Sequence, residues 1–261
     1  MIERWGRRRM AWGYLTTAVV AVISLLPPLV AVSHSFRAPE SEQWSGSSYE
    51  YVMTTYGNSL SFSLRLALFV VIASLVIAMP AAIAFARFPF RFSSVIEELI
   101  MTPLSLPGIS IAIAVIIGYN SLRGNWLLLA MAQMLYTIPY VVRILGNSLR
   151  LLPLDELEDA ARTLGAGRYL RYRHVIAPLI VHPTVLASLI VFAISWGEFN
   201  VSFLLATPTQ LTFPAALFAT YTSNSLSVAG AATAIFILGA VPFFVAFQLL
   251  ERRPFEGGQG V

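Results

Sequence analysis

"LEDAARTLGAGRYLRYRHVIAPLI", Leu157 to Ile180, is a polar, arginine-bearing segment set between two of the most apolar stretches of the chain. It carries too much charge to cross a bilayer, since one charge at mid-membrane costs at least about 2.5 kcal/mol. Its pattern is also too regular for an idle linker. Asp155, just upstream, is placed to cap a short helix, with Glu158 three residues on in a capping-box arrangement. That helix runs through Ala160 and Ala161 and stops at Gly165, where left-handed backbone meets no Cβ penalty. Gly167 gives a second hinge, "RYLRYRHVI" a second short helix, and Pro178 the start of the next apolar span. Paired alanines let another protein approach closely, glycine sets the angle between the helices, and flanking charges fix register. The segment reads as a rigid knob that passes a partner's movement to the spans attached to it.

The rest of the chain says what those spans are. Of 261 residues 57% are hydrophobic and 11% charged, where a soluble domain carries about 25% charged residues. An integral membrane protein follows. There is no cysteine, so disulfides, thiolate metal sites and a cysteine nucleophile are excluded. The histidines are His34, His174 and His182, with no HExxH, and no GxSxG is present; neither a zinc site nor a catalytic residue is expected. All 17 basic residues are arginine. A P-loop lysine and Schiff-base chemistry are thereby excluded. The arginines form no basic domain, and nucleic acid is not an expected partner.

A helix needs about 20 apolar residues to cross the hydrocarbon core. Six segments qualify: Ala11–Val32, Ser61–Ala86, Val95–Tyr119, Trp126–Leu145, His182–Ala206 and Val228–Leu250. The first is too long in its apolar core for a secretory signal and reads as an uncleaved anchor, bent at Pro27 and Pro28. With six spans, "RWGRRR", Arg87, Arg91, the arginines from Arg150 to Arg173, Arg252 and Arg253 all fall on one side, and Arg37 and Arg123 on the other. The positive-inside rule makes the first side cytoplasmic. The expected architecture is all-α: residues 1–10 a cytoplasmic N-terminus, 11–251 a six-helix membrane domain, 252–261 a cytoplasmic tail. The knob, about 153–178, is the cytoplasmic loop between spans four and five.

The knob's residues resemble a known family. Asp159-Ala160-Ala161, Gly165 and Pro178 are similar to the EAA loop of permease subunits of bacterial type-I ATP-binding-cassette importers. Aspartate replaces the usual glutamate and keeps its charge. "PLSLPGISIAIAVIIGY", "YTIPYVVRILGNSLRLLP" and "SWGEFNVSFLLA" carry the resemblance along the chain, most closely to the second permease of polyamine, phosphonate and ferric-iron importers. The resemblance implies a bacterial inner-membrane permease forming half of a solute path, itself no enzyme. Its implied partners are a different permease subunit, two ATPase subunits that bind the ATP and magnesium, an extracytoplasmic solute-binding protein, and lipid. It implies no cofactor in this chain. ATPase coupling would fall to Glu158, Asp159, Ala160, Ala161, Leu164, Gly165, Ala166, Arg171 and Pro178. A polyamine suits the resemblance best, with phosphonate, ferric iron, thiamine or sugar as alternatives.

Few residues offer themselves along the path. Glu198, in "ISWGEFNVS", is expected deep in span five. There it either lines the path with Trp196 and Asn200, or pairs with an arginine or caps a helix broken at Gly197. Tyr119 and Asn120 are further polar candidates, although bonding between helices is the commoner use of such residues. Pro107 and Gly108 interrupt span three and free backbone that a cavity can use. Two other classes stay open: a membrane-embedded enzyme, which lacks a visible site, and an ion-coupled carrier, which would need ionisable relays beyond Glu198.

Overall fold

The computed structural model describes residues 2–37, 43–88 and 90–251, with side chains from residue 12 to 249. The side chains of "RWGRRR", together with Arg252, Arg253 and the expected C-terminal tail, lie outside that description. Among the described residues there are helices and two isolated backbone bridges, with no strand. The helices are α1 (Ile2–Ser35), α2 (Ser47–Arg87), α3 (Ser93–Met101), α4 (Gly108–Gly118) and α5 (Trp126–Arg150). They continue as α6 (Leu154–Thr163), α7 (Arg168–Gly197), α8 (Asn200–Leu205), α9 (Phe213–Ser223) and α10 (Leu226–Glu251). Five of these are long and apolar enough to cross a membrane, and α3 with α4 form a bent pair that makes a sixth if it is one span.

The expected interruption of span three is present, and two other expected boundaries change. The third span bends by 107° where α3 and its terminal turn meet α4. Pro107 caps α4 in extended backbone, where a helix cannot run through. The fifth span does not run from His182 to Ala206. It begins at Arg168 and stops at Gly197, because Glu198 turns extended and a new helix, α8, starts two residues on. The expected second short helix of the knob is thus the first part of α7. Pro178 has no N–H to donate to the preceding turn, and a wider turn over Tyr172–Ile176 absorbs the defect. There Ala177 N–H reaches back five residues to the Tyr172 carbonyl. Finally, Asp155 caps nothing: α6 starts at Leu154, and Pro153 stands at the cap position with no side-chain bond. Burial of Leu154 draws the helix start two residues earlier.

The chain divides into two compact units. One takes α1, α2 as far as Gly57, the end of α9, and α10 through Gly239. Its core is made of small side chains, including Ser35, Ser48, Val52, Thr220 and Ala231. Gly230 is what lets α10 meet α1, since a Cβ there would stand 2.5 Å from the carbonyl oxygen of Ala31. Ser35 and Tyr49 share a 2.6 Å hydroxyl contact beside the Phe36 ring. Over its apolar stretch the rest of α1 is exposed, as a lipid-facing helix is.

The other unit holds Asn58–Ala215 and the chain from Ala240. α5 is its axis: the buried Leu128, Val141, Val142 and Leu145 meet Val70 and Ala78 of α2, Ile111 of α4, and Val191 of α7. A polar line runs through this core. Ser74 and Thr137 share a 2.9 Å hydroxyl contact, and the fully buried Gln133 binds residues on both sides of the α7–α8 break. Backbone and side-chain polar groups must find partners inside a protein surrounded by hydrocarbon.

Candidate functional site

Two features stand out in the larger unit. The first is the knob. α6 ends in a Schellman turn: Ala166 N–H donates to the Ala161 carbonyl at 3.0 Å and Gly165 N–H to the Arg162 carbonyl at 2.9 Å. Gly165 has φ +82°, so glycine is needed there for its backbone, with nothing near the position of a Cβ. Asp159, Ala160, Leu164 and Gly165 face outward, and Leu164 is 88% exposed.

The knob's inner side is bolted down. Glu158 forms ion pairs with Arg87 at the end of α2 and with Arg171 near the start of α7, the latter at 3.4 Å. All three side chains are mostly buried. Beneath them Leu149, Leu154, Ile176 and Ile180 cluster against Met79 and Ile83 of α2. Arg150, at the end of α5, grips Glu97 of α3 through two bonds of 3.1 and 2.6 Å. Glu158 and Arg171 therefore turn inward, toward this chain's own spans. Arg87 was not singled out from the sequence, because a pairing across 71 positions leaves no periodic trace.

The second feature is an open cavity of about 320 Å³ between the two helix breaks. Leu106 and Gly108 line it from the first break, Glu198 and Asn200 from the second, and Tyr136 and Tyr140 from α5. Gly108 allows the breaks to meet, since a Cβ there would stand 3.0 Å from that of Asn200. Glu198 caps α8: its carboxylate accepts from Val201 N–H and Ser202 N–H, each at 2.8 Å, and from the Ser202 hydroxyl at 2.7 Å. The Tyr136 hydroxyl is buried in the electrostatic reach of Glu198 without a well-aligned hydrogen bond.

Of the path candidates, Glu198 and Asn200 come together on this cavity. Trp196 does not line it. It is buried with its ring 6.0 Å from that of Phe192. Tyr119 and Asn120 lie at the far end of α4, exposed and away from the cavity. Tyr136 and Tyr140 were missed, although polar rings in an apolar helix were the available signal.

The model of one protein family, described as binding-protein-dependent transport system inner membrane component, matches residues 74–256. The chain belongs to this family. The spermidine/putrescine transport system permease protein PotC of Escherichia coli K12 is 23% identical over 261 residues, covering 97% of this chain and 98% of its own. PhnV of Salmonella typhimurium LT2, a permease assigned to 2-aminoethylphosphonate transport, is 20% identical and covers 94% of this chain and 96% of its own. Among solved structures, a bacterial ABC transporter that imports the acidic polysaccharide alginate superposes with a TM-score of 0.72 at 16% identity, over 95% of this chain and 96% of that one. The methionine transporter MetNI, facing inward, gives 0.63 at 16% identity, over 77% and 97%. The protein is a permease subunit of an ABC importer of the type-I class, a multi-pass component of the inner membrane and not an enzyme. Family membership sets aside the membrane enzyme and the ion-coupled carrier.

Proposed function

We propose that this permease forms half of the solute path and takes its driving motion through the segment Asp159–Gly165. The observation that carries the reading is the two-sided build of α6. Its outer face and Schellman turn are free for a partner, while Glu158 ties its inner face to α2 and α7. A displacement of the knob by an ATPase therefore reaches two spans at once. Two ATPase subunits binding ATP and magnesium, a second and different permease, and an extracytoplasmic binding protein complete the assembly, and lipid surrounds it. Both termini are cytoplasmic in this reading, with 153–178 on the same side. Support for a binding protein comes from the family description and from an alginate importer solved together with its periplasmic protein, TM-score 0.74 at 13% identity over 97% of each chain. The solute is a small polar molecule such as a polyamine, which the likeness to PotC and the acid at the cavity support. Phosphonate, ferric iron, thiamine and sugar are the alternatives.

Gly165→Val tests the coupling. A β-branched residue at φ +82° is strained by about 1–2 kcal/mol or more, so the Schellman turn should open. Solute-stimulated ATP hydrolysis and uptake by the reconstituted complex should fall together while the permease still inserts. Normal stimulation and uptake would remove the coupling role. Orientation has its own test, because the chain has no cysteine. Single cysteines at Arg37 and Arg123 should react with an impermeant thiol reagent from outside intact cells, and cysteines at Arg91 and Arg171 should not. Outside labelling at 171 would reverse the assignment.

A further inference from the structure

Among the described residues Glu198 has no basic partner. Its well-aligned hydrogen bonds are the three that cap α8, the Tyr136 hydroxyl lies within its electrostatic reach, and the ion pairs lie elsewhere. Three donors hold the carboxylate in place, yet none brings a full positive charge to it. At 9% exposure, bulk water screens it poorly. The walls around it are the aromatic Tyr136, Tyr140 and Phe199, together with aliphatic side chains and the Asn200 amide, and no arginine or histidine lines them. An acid fixed on an aromatic-lined wall attracts an ammonium through its charge, and a ring face that meets the ammonium adds to that attraction. An anion meets the same field with the sign reversed. The aliphatic wall suits a carbon stem, and the volume is in the range of small-molecule sites.

Resting on the reading of this chain as half of an import path, we propose that the cavity between the two helix breaks is a cation-selective station, taking solutes that carry a primary ammonium and turning anions away. The cap and the station are one device. The same three donors that start α8 hold the carboxylate where the cavity wall needs it. Leu106 and Asn200 stand on opposite breaks, so any solute between them lies within the field of Glu198.

The test uses the assembled importer in lipid nanodiscs without ATP, probed with three four-carbon molecules of similar shape: putrescine, a dication; 1,4-butanediol, neutral; and succinate, a dianion. Shifts of melting temperature against probe concentration give relative affinities. Putrescine should bind at least about tenfold more tightly than either of the others. Equal affinities, or a preference for succinate, would overturn the proposal. Glu198→Gln should abolish the preference, and its survival would also overturn the proposal. Since that variant also weakens the α8 cap, Leu106→Lys provides a second arm. Leu106 is half exposed on the loop before Pro107, away from the cap. A lysine there should cut putrescine affinity by about tenfold and let succinate in. A Leu106→Lys complex as cation-selective as the native one would refute the station. ATP-driven uptake in proteoliposomes is measured separately. An importer that works but shows no preference among the probes overturns the station alone, whereas a complex without ATP-driven uptake overturns the import reading.

Discussion

Gly230→Val is expected to part α1 from α10. The first atom it adds would stand 2.5 Å from the Ala31 carbonyl oxygen, with the backbone of Ser35 at 3.2 and 3.4 Å. Those neighbours are main chain and cannot rotate away, so the helices themselves must separate. Overpacking of this kind costs about 1–3 kcal/mol, occasionally more. The gain in helix propensity on leaving glycine, at most about 1 kcal/mol, does not offset it. In a bilayer the effect is concentrated, because helices there hold together by close approach of small residues. Besides the Ser35–Tyr49 contact little else fastens α1 in its unit: its apolar stretch is exposed, and among its described side chains Ser35 is the buried one. The readout is a cysteine at Ser35 in this cysteine-free chain. In the parent it should be shielded from a thiol reagent, and in Gly230→Val it should react at least about tenfold faster, as a loss of 1.4 kcal/mol or more in packing allows. Gly57→Ala in α2, where a Cβ meets nothing within 4 Å, is the control and should leave the rate unchanged. Equal labelling of both variants would mean that α1 is held by something other than this contact.

The membrane class and the six apolar segments were legible because hydropathy summed over a span is large compared with any local detail. The stop at Gly165 was legible for a different reason: few residues accept φ +82°, so the glycine announces its own geometry. The break at Pro107 was readable on similar grounds. What failed was the fifth span. The apolar residues on either side of "SWGEFNV" carry the summed hydropathy of a span across the break, and the cause of the break is a carboxylate turning back on two N–H groups three and four residues ahead. Glu198 had been read as either lining the path or capping a helix broken at Gly197. The structure shows the cap and sets the same side chain on a cavity, while among the described residues no arginine pairs with it.

The knob shows the opposite balance. Its outer face followed from the residues, but the direction of its charges did not. Glu158 and Arg171 were expected among the coupling residues, and both are engaged inside this chain, with Arg87 as the third member. A charge on an amphipathic helix looks the same in sequence whether it meets a partner protein or a distant part of its own fold. Asp155 failed as a cap for a related reason. Local pattern favoured it, and burial of Leu154 won.

Gln133→Leu is expected to loosen the α7–α8 break. Gln133 is fully buried in α5, where its Oε1 accepts from the Ser195 hydroxyl at 2.5 Å and its Nε2 reaches the Ser202 hydroxyl at 3.5 Å. The first bond is short and carries more of the effect; the second is at the limit of hydrogen bonding. Ser195 precedes the break and Ser202 follows it, so one amide staples both sides to the axis of the unit. Leucine fills similar space without either bond and strands the Ser195 hydroxyl. A stranded buried donor costs about 1–3 kcal/mol, while single bonds between membrane helices average about 0.6. A loss of about 1–2 kcal/mol is therefore expected, read as a lower melting temperature in lipid. Adding Ser195→Ala should return part of it, because replacing both partners with apolar groups leaves nothing unsatisfied. If the double variant melts no higher than Gln133→Leu, the stranded serine is not the cause and the staple account fails. Ser202 keeps its bond to Glu198 in either variant, so the cap itself should survive. What is lost is the tie between the capped helix and α5, and with it the fixed distance from Glu198 to the tyrosines across the cavity. Transport should accordingly fall further than stability does, since the carboxylate is still present but no longer held in register with the wall it faces.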